Sequence, residues 1–158
     1  MNNSYNRANN FVNENSYLTL HYRITSLSQP RKGFILVNTF NSSPTTFQMG
    51  TGQWSPGLEK TLLNRQEGEN FTVELMPKDA YGEINPSLIQ KISISNLRKF
   101  YGKEHQFSIG DHIELSIRNN FRCFGLLKDL DKTFAKIDFN HPLAGSILGL
   151  KIYILGIL

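Results

Sequence analysis

Residues 146–158, SILGLKIYILGIL, form the most apolar stretch of the chain and constrain its fold most. A helix that crosses a bilayer needs about 20 apolar residues. This run is shorter and carries Lys151 near its middle. Ile and Tyr favour strands, and Gly149 and Gly156 penalise a helix. The stretch reads as a buried strand, and a buried strand needs a sheet to receive it.

The rest of the chain supplies candidates. In residues 17–24, Leu18, Leu20, Tyr22 and Ile24 alternate with Thr19, His21 and Arg23, the pattern of a half-buried strand. Turn residues 28–33 lead into a second apolar run at 34–40. After the loop Asn41-Ser42-Ser43-Pro44 comes a short strand at 45–49. Ser55 followed by Pro56 is a helix start, with Leu58 and Leu62 on one face, and Asn64 and Gly68 limit the helix to a few turns. Phe71, Val73 and Leu75 alternate in a further strand that Pro77 ends.

Residues 84–138 differ in character. Apolar residues are scattered at first, then a short helix is expected over 96–101, capped by Ser95. An alternating strand with Ile113, Leu115 and Ile117 follows. Runs at 121–127 and 133–139, joined by 128–132, read as a hairpin. The chain is strand-rich with one clear short helix in its first half, and the fold class is α+β or mostly β.

Residues 1–14 hold many Asn and no apolar run of signal-peptide length, so they are expected to form a flexible extension with no leader. Elsewhere, 39% hydrophobic against 19% charged residues is too apolar for disorder. The single cysteine, Cys123, excludes an intrachain disulfide and a thiolate zinc cluster, and fits a reducing compartment. His21, His105, His112 and His141 form no close ligand pair, so no metal and no cofactor are expected. Phosphate-loop and nucleophile-elbow motifs are absent. A net charge of +4 announces neither nucleic acid nor a membrane surface. An RNA-binding β-barrel would need basic and aromatic residues interleaved along one strand, and none is found.

Chemistry that needs few ionisable groups is left, and three loops draw notice. Trp54 precedes the helix start, Tyr81 lies in Asp79-Ala80-Tyr81-Gly82, and Leu143 opens Leu143-Ala144-Gly145 before the last strand. Loop aromatics beside a helix N-terminus line a cleft or simply pack. Taken in order, Leu18-Thr19-Leu20-His21-Tyr22, Phe47-Gln48-Met49-Gly50, Ser55-Pro56-Gly57-Leu58-Glu59, Asp79-Ala80-Tyr81-Gly82 and Phe139-Asn140-His141-Pro142-Leu143-Ala144-Gly145 resemble the FKBP-type peptidyl-prolyl isomerases. The resemblance is to the SlyD/SlpA branch, and the last string is close to a SlpA signature.

That resemblance implies an antiparallel half-barrel sheet wrapped on a short helix, formed by residues 15–83 and 139–158. It implies a small β-rich insert-in-flap domain at 84–138. It also implies activity on X–Pro bonds. Rotation about an amide faces a barrier of about 18–20 kcal/mol, set by C–N double-bond character. An apolar site withdraws the water that stabilises the planar form, and a cut of roughly 4 kcal/mol gives about a thousandfold acceleration. No nucleophile or metal is required.

By resemblance, Tyr22, Asn38 and Tyr81 would be catalytic. Val37, Phe47, Trp54, Ser55, Leu58, His141, Leu143 and Leu150 would bind substrate, although core packing explains Phe47, Leu58 and Leu150 equally well. Asn38 departs from the acidic residue common in the family, and Leu58 and Leu150 stand where aromatics are common. Weaker isomerisation follows, with a non-enzymatic holdase as the alternative. The insert would present Leu88, Ile89, Ile92, Ile94, Leu97, Phe100 and Tyr101 to unfolded, proline-containing polypeptides, with part of that set serving as its own core. A cytoplasmic monomer with no nucleic-acid or membrane partner completes the expectation.

Overall fold

A computed structural model of the chain describes residues 10–117 and 121–158. The elements in chain order are β1 (Tyr17–Ser26), β2 (Ile35–Asn38), β3 (Thr45–Gln48), α1 (Pro56–Leu62), β4 (Asn70–Leu75), β5 (Ile89–Ser93), α2 (Ile94–Tyr101), β6 (His112–Ile117), β7 (Phe121–Leu130), β8 (Phe134–Asp138) and β9 (Leu148–Ile157). The pairings are all antiparallel, which makes this an α+β fold. Among the described residues no helix is long and apolar enough to cross a membrane.

The chain divides into two compact units. The first runs up to Glu83 and resumes at Leu143–Leu158; the second is Ile84–Pro142. The return therefore falls a few residues later than the sequence suggests, because Phe139 N–H donates to Leu88 O at 2.9 Å and Asn140 is bonded to Asn85, both inside the second unit.

In the first unit the apolar C-terminal run is the strand β9, inserted between β1 and β4 in the order β2-β1-β9-β4, with β3 also on β1. Leu148, Leu150, Ile152 and Ile154 are at most 2% exposed. They meet Leu18, Leu20 and Ile24 of β1, Leu75 of β4 and Leu62 of α1 in one core. Helix α1 starts where expected: Ser55 Oγ accepts the Leu58 N–H at 3.4 Å, and Pro56 fills the first helical position.

The N-terminal expectation needs correcting where the structure speaks. Residues 1–9 lie outside the described residues. Val12 is 1% exposed and sits in the core. Its N–H donates to Arg65 O at 2.8 Å, and its carbonyl accepts the Asn64 N–H at 2.9 Å. One apolar side chain in a polar stretch suffices to pin the segment when its backbone bonds are satisfied.

The second unit is a four-stranded sheet, β5-β8-β7-β6, packed on α2. Helix α2 begins two residues before the sequence expectation and is capped by Ser93, not Ser95: Ser93 Oγ accepts the Asn96 N–H at 3.3 Å. Starting there turns Ile94 and Leu97 into the core. The apolar residues just before it are a strand, β5, paired with β8. β7 continues past Leu127 through a bulge to Leu130, so the expected 128–132 connection shrinks to a tight turn at Asp131–Thr133.

Candidate active site

Three of the expected residues are brought together by ring contacts in the first unit. Trp54 stacks on Phe47 at 4.6 Å between centroids and 16° between planes. It meets Tyr22 edge-on at 4.9 Å and 62°. Each side chain arrives from a different element: Tyr22 from β1, Phe47 from β3, and Trp54 from the turn before α1. Alternation explains the first two, because Tyr22 is on the same face as Leu20 and Ile24, and Phe47 pairs with Leu18. Phe47 is buried at 3%, whereas Tyr22 and Trp54 are half-buried and retain accessible edges. Aromatic pairs of this geometry contribute about 0.5–1.5 kcal/mol beyond their buried area. Leu58, half-buried on α1, packs against the same core.

Val37 is half-buried and pairs with Ile24 in register, which places it on the core side of β2. Leu150 pairs with Ile24 and with Val73 and is wholly buried, so it backs the cluster and presents no surface of its own. Leu143 is 7% exposed in the loop before β9. His141 belongs to the second unit.

Asn38 is engaged locally: its Oδ1 accepts the Phe40 N–H at 3.1 Å. The adjoining Thr39, which sequence reading passes over, fixes Tyr22. Its Oγ1 accepts the Tyr22 N–H at 2.9 Å, and its own N–H donates to Tyr22 O at 2.9 Å. A Thr near the end of the apolar run 34–40 gives no signal of this in sequence.

Tyr81 is 44% exposed. The turn that carries it follows a single 3₁₀ turn, Pro77–Asp79, and closes through the Gly82 N–H donating to Pro77 O at 2.7 Å. This turn rests directly on the start of α1. Ser55 Oγ donates to Asp79 O at 3.5 Å, and a Cβ added to Gly57 would lie 2.1 Å from that same oxygen. Gly57 is therefore what lets the Ser55 and Tyr81 segments approach. A Gly in the first turn of a helix, where propensity disfavours it, was the available signal. Ala80 packs against the core.

In the second unit, Ile94 and Leu97 of the expected binding surface are buried, at 7% and 0%. They belong to the core and are withdrawn from that surface. Ile92 and Tyr101 pack against the same core. The Tyr101 hydroxyl accepts the Glu114 N–H and donates to Glu114 O at 3.0 Å. Leu88 and Phe100 stay exposed, at 42% and 59%, and Ile89 is half-buried. Exposed residues that sequence reading did not select include Ile109, Phe121 and Phe124, at 65%, 74% and 66%.

Comparison with known proteins bears on this arrangement. The sequence model of the family described as "FKBP-type peptidyl-prolyl cis-trans isomerase" matches residues 8–114. A "Probable FKBP-type 16 kDa peptidyl-prolyl cis-trans isomerase" of Pseudomonas fluorescens is 30% identical over 146 residues, which cover 92% of this chain and 91% of that one. The "FKBP-type peptidyl-prolyl cis-trans isomerase SlyD" of Aeromonas hydrophila is 33% identical over 139 residues, covering 88% of this chain and 61% of that protein. The "FKBP-type 16 kDa peptidyl-prolyl cis-trans isomerase" of Escherichia coli K12 is 31% identical over 117 residues, covering 74% and 76%. With a matched stretch longer than half its length and a relative covered almost end to end, the chain belongs to the FKBP-type peptidyl-prolyl cis-trans isomerase family.

Proposed function

We propose that this isomerase turns X–Pro bonds against the Tyr22–Trp54–Phe47 cluster, with the Ser55 N–H and the Tyr81 hydroxyl holding substrate carbonyls. The observation that carries the reading is the half-buried Trp54, held by two rings at the start of α1 and beside the Tyr81 turn. Its substrates are proline-containing polypeptides. Apolar walls desolvate the amide, and hydrogen-bond donors hold the chain while the bond twists. Asn38 supplies no negative charge, and its oxygen is already taken by the Phe40 N–H. Catalysis weaker than that of an acidic counterpart follows. Catalysed cis/trans exchange on a short X–Pro peptide tests the site. Trp54→Ala should lower kcat/KM at least tenfold while the fold is retained. An unchanged rate would move the chemistry elsewhere.

The second unit acts as the peptide-capturing half, and its exposed Leu88, Phe100, Ile109, Phe121 and Phe124 support this. Capture there raises the local concentration of prolines for the first unit. Replacing Ile84–Pro142 with a short linker should cripple catalysis of protein refolding and spare the short-peptide assay. Equal losses in both would end the division of labour. The lone Cys123 suits a reducing cytoplasm, and a monomer is expected, with sedimentation as the check.

A further inference from the structure

Charge is segregated in the first unit in a way the net charge hides. From residue 15 to residue 58 the sequence has no Asp or Glu, and from 143 to 158 it again has none. Those two segments supply β1, β2, β3 and β9, four of the five strands of the larger sheet. They carry Arg23, Arg31, Lys32 and Lys151. Glu74 on the edge strand β4 is the sheet's one carboxylate.

Register converts this bias into a face. Arg23 pairs with Lys151, and His21 pairs with Tyr153. Their neighbours along the strands, Tyr22, Ile24, Leu150 and Ile152, pack in the core. Alternation therefore sets Arg23, Lys151, His21 and Tyr153 on the opposite side of the sheet. Ring contacts agree: Phe40 stacks with His21 at 5.6 Å, and Lys151 Nζ lies 5.3 Å from the Phe40 centroid. Like charges directly opposed on neighbouring strands repel. Among the described residues the ion pairs are Arg65–Glu69 and Arg122–Glu114, so neither Arg23 nor Lys151 is in one, and Glu74, diagonal to Lys151 across β4 and β9, is the one carboxylate on this face of the sheet.

The basic character extends beyond the strand. At about 3.4 Å per residue, the end of β1 at Ser26 lies roughly 10 Å from Arg23. The loop that follows exposes Arg31 and Lys32. It leads into Phe34 and Ile35, which are 55% and 47% exposed.

We propose that this outer sheet face docks an acidic polypeptide segment that also carries apolar side chains. Four cations set against Glu74 as the sheet's one carboxylate select carboxylates, and Phe34 and Ile35 give apolar side chains a contact surface. Nucleobases would need open ring faces. Phe40 is already engaged by His21 and Lys151, which favours polypeptide over nucleic acid.

The test uses the full chain and a fluorescein-labelled, proline-free peptide alternating Glu and Leu, followed by anisotropy at low salt. A peptide without proline bypasses the isomerase site. Arg31→Glu with Lys32→Glu, both in an exposed loop, should weaken binding about tenfold, and Arg23→Glu with Lys151→Glu should do the same. Lys132→Glu with Lys136→Glu in the second unit should leave it unchanged, and added salt should weaken it. The Arg31, Lys32 variant should keep its activity on short X–Pro peptides. Four results overturn the proposal: no binding, equal binding of the Gln-for-Glu peptide, loss in the Lys132, Lys136 variant alone, or tighter binding of an oligouridylate to the same residues.

Discussion

Asn38 shows how one atom changes what a site can do. In the proposed site a carboxylate at this position could accept a hydrogen bond and bias charge near the twisting bond; the amide can do only the first, and its oxygen already accepts the Phe40 N–H. Asn38→Asp should raise kcat/KM on a short X–Pro peptide several-fold; a flat response would remove the position from the mechanism. Tyr81→Phe should lower kcat/KM about tenfold, the value of one hydrogen bond of about 1.4 kcal/mol made to the transition state. Asp131 shows a residue-scale effect of another kind. Its Oδ1 accepts the Phe134 and Thr133 N–H groups, both at 2.7 Å, and those bonds, in that order and with help from nearby Lys91, hold its carboxyl below the ordinary 3.8. A lowered carboxyl adds stability above its ordinary value and gives it up as pH falls through the lowered one. Asp131→Asn should thus melt earlier than the parent near neutrality, and the gap should close in strong acid. Thermal melts across that acid range check it. Nothing in the residue string marked Asp131 or Thr39, because each acts through backbone groups that only the folded turn brings near.

At the scale of elements, periodicity was informative where an element buries a whole face and misleading where it ends. The alternation in β1 and the apolar run of β9 gave strands within a residue or two of those observed. Helix α2 was read two residues late, because Ser93 and Ser95 are equally good caps on paper and only the burial of Ile94 and Leu97 chooses between them. Ser93→Ala should cost the second unit about 1 kcal/mol, and Ser95→Ala much less. Urea unfolding of both variants measures the difference. Gly102, at φ 96° with its N–H on Arg98 O, ends the same helix as a glycine can. In α1 the decisive feature is closeness. Gly57→Ala would drive a methyl into Asp79 O. It should lower kcat/KM far more than it lowers melting temperature, since the Tyr81 turn must retreat from Ser55. Trp54 and Tyr81 draw notice in sequence because they stand in loops, whereas Tyr22 and Phe47 sit on β1 and β3 and enter only by resemblance. The roles of Leu150, Ile94 and Leu97 were not legible, since apolar residues at a cleft and in a core look alike in sequence.

For the whole molecule, composition changes at residue 84, where the second compact unit begins, while that unit's far boundary depends on hydrogen bonds no composition reveals. Asn140 Nδ2 donates to Asn85 O at 3.0 Å, and its Oδ1 accepts the Asn85 N–H at 2.9 Å, which ties the second unit's first and last residues together. In the first unit the Gly145 N–H donates to Gly82 O at 2.8 Å, closing the corresponding gap there. The N-terminal segment joins the same scheme through Val12. Val12→Ala should destabilise the first unit by about 2 kcal/mol, read from chemical denaturation, an effect no flexible extension could produce.

The position of β9 has a consequence for a chain made from one end. The strand that belongs in the middle of the larger sheet, between β1 and β4, is synthesised after every other strand of both sheets. The residues of the second unit are complete at Pro142, before β9 has begun. Every strand of the second unit lies within Ile84–Pro142, so that unit can close while its host still waits for β9 with β1 and β4 unjoined. Folding would then complete the second unit before the first, the reverse of the usual N-terminal-first order.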